Sequence, residues 1–154
     1  MSNLTGLTLV VEVMAAADAF LRESHRLFRP LGLTAAQYNV LNVLAGRTAG
    51  MSQRELSEVL VVDRSNVTGL LGRMERAGWV KRGDDPVDRR VYRVTLTPAG
   101  RKLWQKAQPR YAAVVAQVTG GLSARQIRET YAVLLQLKAA AAAWEPPAYP
   151  GAAP

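Results

Sequence analysis

Between positions 64 and 76 the chain sets Arg64, Ser65, Asn66, Thr68 and Arg73 around Gly69 and Gly72, with Arg76 closing the run. These types supply hydroxyl, carboxamide and guanidinium groups, which exchange hydrogen bonds with polar edges. At helical spacing Ser65, Gly69, Gly72 and Arg76 share one face, flanked by Asn66, Thr68 and Arg73, while Val67, Leu70, Leu71 and Met74 share the opposite one. Two glycines on an exposed helical face cost roughly 1 kcal/mol each relative to alanine, so their presence points to something that approaches the backbone closely. The major groove of duplex DNA is such a surface. Arg64, Ser65, Asn66 and Thr68 stand at the amino end of the run, where a recognition helix offers donors and acceptors to base edges, and Arg73 is placed for guanine or phosphate. The competing reading makes Asn66 and Thr68 solvated surface and pairs Arg73 structurally with Asp63 or Asp88.

A second cluster follows at 84–90, reading Asp84, Asp85, Pro86, Val87, Asp88, Arg89, Arg90. A small, polar, basic turn suits insertion beside a minor groove, whose narrow regions attract arginine. Arg90 is the foremost candidate, with Arg89 beside it. Asp88 repels phosphate, so its expected work is to hold Arg90 or Arg89 through a charge-assisted bond. Alone, such a segment reads equally well as a solvated turn; directly after a helix-turn-helix it reads as a wing.

The chemistry absent from the sequence is as informative. There is no cysteine and a single histidine, His25, so disulfides, thiolate metal sites and thiol redox switches are excluded and other metal sites are disfavoured. No phosphate-cradling loop, nucleophile elbow or paired carboxylates on one helical face occur. The expectation is a non-enzyme without cofactor or metal. Lys and Arg number 20 against 12 acids, a formal net charge of +8, which favours polyanionic partners. No apolar run approaches the roughly 20 residues of a transmembrane helix, and the first residues lack the basic start of a secretory signal. No helix sets a wide apolar face against a Lys/Arg stripe. The chain is therefore expected to be cytoplasmic, with no membrane role.

The elements that must position these residues announce themselves by their caps. Thr34–Gln37, Ser52–Glu55 and Ser123–Gln126 are capping boxes, each with an apolar staple: Leu33 with Tyr38, Met51 with Leu56, Leu122 with Ile127. Asp63 caps a further helix with Val62 and Val67 as staple, and Thr97 precedes a proline at a first helical position. A sixth helix, roughly 8–29, lacks a strong cap and ends at Pro30. Helices at 52–60 and 63–77 separated by Val61 and Val62 define a helix-turn-helix. Strands at 79–82 and 91–96 flank the charged turn, with Tyr92, Val94 and Leu96 alternating against Arg93 and Thr95. After Pro98 a helix with Pro109 as an expected kink runs to about Thr119, and a last helix spans about 124–144. Residues 145–154, rich in Pro and Ala, read as a disordered tail.

These residues resemble the MarR (multiple antibiotic resistance regulator) family of winged helix-turn-helix proteins. The likeness runs in register over residues 33–100. It consists of Leu-Thr-x-x-Gln from Leu33, the run from Ser65 through Gly-Trp-Val-Lys-Arg to Arg82, and Asp-Arg-Arg-Val-Tyr-Arg-Val-Thr-Leu-Thr-Pro-Ala-Gly from Asp88. The resemblance implies a mainly α fold of six helices with a small β wing, intertwined as a dimer through its terminal helices. Residues 34–97 would be the DNA-binding lobe, and residues 1–33 and 98–144 the dimerisation region. It also implies binding of a pseudo-palindromic operator, chiefly as a repressor. Asp88 and Arg90 match the family's Asp-x-Arg wing motif, while Val87 stands where many members carry another arginine. The family's thiol-oxidation response does not apply to a chain without cysteine. Release by a small aromatic or phenolic effector is the remaining implication, with Arg22, His25, Tyr38 and Tyr111 as the candidate pocket. The bland alternative for those four is packing or interface. Independently of the resemblance, Val13, Ala16, Ala17 and Phe20 in the first helix and Ile127, Tyr131, Leu134, Leu135 and the 139–143 alanine run in the last exceed one small monomer's apolar need. A homodimer on double-stranded DNA is expected; the alternative is a non-specific architectural or protein-interaction module.

Overall fold

The computed structural model describes residues 5–60, 64–85 and 90–145. Val61, Val62 and the cap expected at Asp63 lie outside the described residues, as do Pro86 to Arg89 and the tail beyond Glu145.

Helix α1 spans Gly6–Phe28 and starts earlier than the apolar periodicity indicates, because the Thr5 hydroxyl caps it by accepting from the Thr8 amide at 3.3 Å. A single 3₁₀ turn, Arg29–Leu31, carries Pro30. Helix α2, Ala35–Ala45, opens on the expected capping box: the Gln37 amide donates to Thr34 Oγ1 at 3.2 Å, and the Thr34 amide to Gln37 Oε1 at 2.8 Å. Its buried face holds Ala35, Tyr38, Val40, Leu41 and Leu44.

Strand β1 is the two residues Met51–Ser52, and α3, Gln53–Val59, follows directly. Ser52 and Glu55 form the second capping box, with bonds of 2.7 and 3.2 Å. Helix α4 is Arg64–Arg76, and its Val67, Leu70, Leu71 and Met74 are all buried, as their spacing requires. Strands β2, Val80–Asp84, and β3, Tyr92–Leu96, pair antiparallel from Val80 opposite Leu96 to Asp84 opposite Tyr92. Strand β2 starts one residue and ends two residues later than the alternation places it, and β3 starts one residue later and ends where expected. The sheet has a third member: β1 pairs with β3 through Met51 opposite Val94 and Ser52 opposite Arg93, giving the order β1-β3-β2. Tyr92, expected on the core side with Val94, is 59% exposed because it lies at the hairpin's far end, beyond the core.

Two glycines make this packing possible. Gly50 has φ +71, and a Cβ there would sit 2.6 Å from both the Val94 carbonyl oxygen and Thr95 Cγ2. Only glycine lets the chain turn into β1 while lying against β3. A Cβ on Gly100 would meet the Trp79 carbonyl oxygen at 1.9 Å. Helix α5, Pro98–Thr119, thus starts directly against the entry to β2. Thr97 reinforces that junction: its hydroxyl donates to the Gly78 carbonyl at 2.5 Å and accepts from the Gly100 amide at 3.0 Å. Pro109 lies inside α5.

The chain divides into two compact units, the first ending within α5 at Ala113 and the second starting at Val114. The first contains the whole core, centred on Phe28, Tyr38, Leu41, Leu44, Leu56, Leu71 and Met74. The second contains the end of α5 and α6, Ala124–Ala142, which opens on the Ser123–Gln126 capping box. No residue of α6 is buried in the single chain. Among the described residues no helix is long and apolar enough to cross a membrane.

Candidate nucleic-acid interface

Helix α4 is two-sided. Its buried residues anchor it to the core, so Asn66, Thr68, Gly69, Arg73 and Arg76 are held on an exposed face. Arg64 and Ser65 form its first turn, with side chains outside the described residues. A Cβ on Gly72 would meet nothing within 4 Å, and one on Gly69 would reach only Arg73 Nη1 at 3.4 Å. Among the described residues the two glycines therefore answer no packing need.

Thr68 has a partner that its spacing does not reveal. Gln53, the first residue of α3, donates from Nε2 to Thr68 Oγ1 at 2.5 Å, tying the two helices together on the exposed side. Glu75, on α4, binds β2: its carboxylate accepts from the Arg82 amide at 3.3 Å and pairs with the Arg82 guanidinium at 3.3 Å. The hairpin is thereby fixed to the helix it follows.

At the hairpin's far end, where the turn begins, the Asp85 amide donates to the Val91 carbonyl at 3.0 Å. Arg93 donates from Nε to Asp85 Oδ2 at 2.7 Å and from Nη1 to the Gly50 carbonyl at 2.9 Å. One guanidinium thus joins the far end of the hairpin to the turn that leads into β1 and α3. Glu55 lies within the same field. Its carboxyl is held below the ordinary range, first by the Ser52 amide and hydroxyl, then by the charges of Arg93 and Arg47. Of the expected wing residues, Asp88 and Arg89 lie outside the described residues, and Arg90 is exposed at the hairpin's return. By sequence Gln53 has no role, and Asp85 and Arg93 are named in the charged turn and the strand without being paired. The available signal was Arg93's place on the polar side of the β3 alternation.

The four expected pocket residues separate into two pairs. Tyr38 and Tyr111 come together, ring centroids 4.9 Å apart, and Phe28 stacks on Tyr38 at 4.3 Å. Phe28, which the sequence reading passed over, completes the cluster. Tyr38 is 1% exposed, and burial, followed by proximity to Tyr111, pushes its phenol up to about 12. Arg22 and His25 are exposed on α1, with Arg22 paired to Asp18.

A short helix, a recognition-type helix anchored by one apolar face, and a hairpin locked behind it define a winged helix-turn-helix protein. A family model described as the MarR family matches residues 31–91. The transcriptional activatory protein BadR of Rhodopseudomonas palustris is 42% identical over 109 residues, covering 69% of this chain and 62% of that protein's length. The transcriptional regulator HosA of Escherichia coli O111:H- is 35% identical over 94 residues, 61% of this chain and 69% of that one. Among solved structures, the M. tuberculosis transcriptional regulator MosR in complex with DNA superposes with a TM-score of 0.70 at 31% identity, over 86% of this chain and 96% of that one. The chain belongs to the MarR family.

Proposed function

We propose that this chain is a dimeric, sequence-specific DNA-binding transcription regulator acting in the cytoplasm. Residues 34–97 form its DNA-binding lobe, and residues 1–33 and 98–144 its dimerisation region. The observation that carries the reading is the two-sided build of α4, with four apolar residues buried and a polar, glycine-bearing face exposed. Asn66, Thr68 and Arg73, with Arg64 and Ser65 in the first turn, supply major-groove contacts; Gly69 and Gly72 permit close approach. Arg89 and Arg90, oriented by Asp88, supply the minor-groove contact. Regulation is repression where the operator overlaps a promoter and activation where it lies upstream, and BadR's description as activatory fits the second case.

Selection of bound duplexes from a random library tests this directly. The expected product is an inverted repeat with half-sites about one helical turn, roughly 34–36 Å, apart. Equal affinity for random and selected duplexes would replace the reading with a non-specific architectural module, which the +8 net charge would serve equally well.

The same fold supports an effector site for a small aromatic or phenolic anion. Tyr111 is the partly buried ring of the Phe28–Tyr38–Tyr111 cluster, and such an anion would enter beside it, with Arg22 and His25 exposed on the same unit. Aromatic carboxylates should raise the thermal midpoint and weaken operator binding. If none of a panel does either, the protein is a constitutive regulator.

A further inference from the structure

Two helical hydroxyls in this chain spend their proton on their own backbone. Thr119 donates to the Val115 carbonyl at 2.8 Å and Ser57 to the Arg54 carbonyl at 2.7 Å. A hydroxyl used that way shows a neighbouring molecule little beyond lone pairs. Thr68 sits in a helix too, but its oxygen accepts from Gln53, fifteen residues away on another helix.

A threonine hydroxyl has one donor and two acceptor lone pairs. With the Gln53 amide occupying one lone pair, the hydroxyl proton must point elsewhere, and Thr68 stands on the exposed side of α4. Gln53 is itself half-exposed, and donation from Nε2 leaves its Oε1 as an acceptor alongside. The pair therefore offers a donor beside an acceptor. In the major groove that pattern matches one base edge, adenine, which presents an N7 acceptor and an N6 amino donor.

We propose that Gln53, from outside the recognition helix, is a specificity-determining residue. It fixes the Thr68 hydroxyl as a donor and completes with it a composite reader of one adenine in each half-site. The proposal rests on α4 entering the major groove, so the operator selected by the unaltered protein comes first; failure to obtain one sinks the functional reading rather than this inference. With an operator in hand, Gln53→Ala, Thr68→Val and the double variant are titrated against duplexes carrying each base pair at every half-site position.

Gln53→Ala and Thr68→Val should each lose about tenfold discrimination at the same A·T pair, and the double variant should lose no more than either alone. Gln53→Glu provides the sharper test. A carboxylate cannot donate, so the Thr68 hydroxyl must turn its proton towards Glu, and preference at that position should move from adenine to cytosine, whose N4 amino group is a donor. Circular dichroism melting of each variant registers any loss of fold. The proposal is overturned if Gln53→Ala lowers affinity equally for all base pairs, or if the two single variants alter different positions.

Discussion

Arg93 illustrates how much of the candidate interface depends on one side chain whose bonds go to Asp85 and Gly50 and not to a predicted contact residue. Its two bonds join Asp85, at the far end of the hairpin, to the Gly50 carbonyl, at the entry to the helix-turn-helix. The Asp85 carboxylate is only 12% exposed, so removing the guanidinium strips a hydrogen bond from a largely shielded charge. Arg93→Gln should cost about 2 kcal/mol in urea denaturation, and it should weaken operator binding further by loosening the wing. Arg93→Lys should keep the charge and lose the two-pronged reach, falling between the two. Tyr38 makes a second residue-level prediction. Its phenol ionises near 12 when folded against an ordinary 10.0. The unfolded chain therefore releases that proton first as pH rises. The stability held by the neutral phenol is complete below pH 10 and is lost between pH 10 and about 12. Thermal midpoints measured across that window should fall steeply for the unaltered protein and less steeply for Tyr38→Phe.

At the level of elements, function and stability pull the glycines of α4 in opposite directions. Gly72 sits in open space on a helical face, so Gly72→Ala should stabilise the fold by about 1 kcal/mol. The added methyl occupies the surface proposed to meet DNA, and operator affinity should drop even as the melting temperature rises. Parallel gains in both would show that nothing approaches this face closely. Gly100→Ala is the contrasting case. Its Cβ would collide with the Trp79 carbonyl, a backbone atom with little freedom to yield, and should cost at least about 1–3 kcal/mol in denaturant unfolding. The capping boxes at Thr34, Ser52 and Ser123 were legible in the sequence because each is complete within four residues. The buried face of α4 was legible because helical periodicity is local as well. Strand β1 was not: Met51 and Ser52 are a strand only by virtue of Val94 and Arg93, more than forty positions on. The roles of Gln53 and Arg93 were not legible for the same reason, their partners being fixed by tertiary packing and not by spacing.

For the whole molecule, the question is what the apolar surface left on a single chain is for. In α1, Leu7, Val11, Met14 and Leu21 repeat along one face and are 53–76% exposed. In α6, Ile127, Tyr131, Leu134 and Leu135 form another such stripe, each at least 42% exposed. Fully burying one such side chain contributes about 1.5–3 kcal/mol, so leaving both stripes in water is costly for a small protein. In the proposed dimer a second copy would offer the same stripes and, through a twofold axis, turn one recognition helix into two. Replacing Tyr131 and Leu134 by glutamate should halve the mass measured by light scattering and weaken operator binding by at least about tenfold, since a lone half-site retains only part of the contact set. The winged helix lies in the other compact unit, and the +8 charge is reduced only to +6 per chain by two glutamates. Binding to random duplex at low salt should therefore persist in the monomer, with a slope against salt concentration that reports fewer phosphate contacts. A variant that stays dimeric and keeps its operator would place the subunit contact away from this face of α6. One that loses operator and random binding together would show that the substitutions had damaged the winged helix as well as the pairing of subunits.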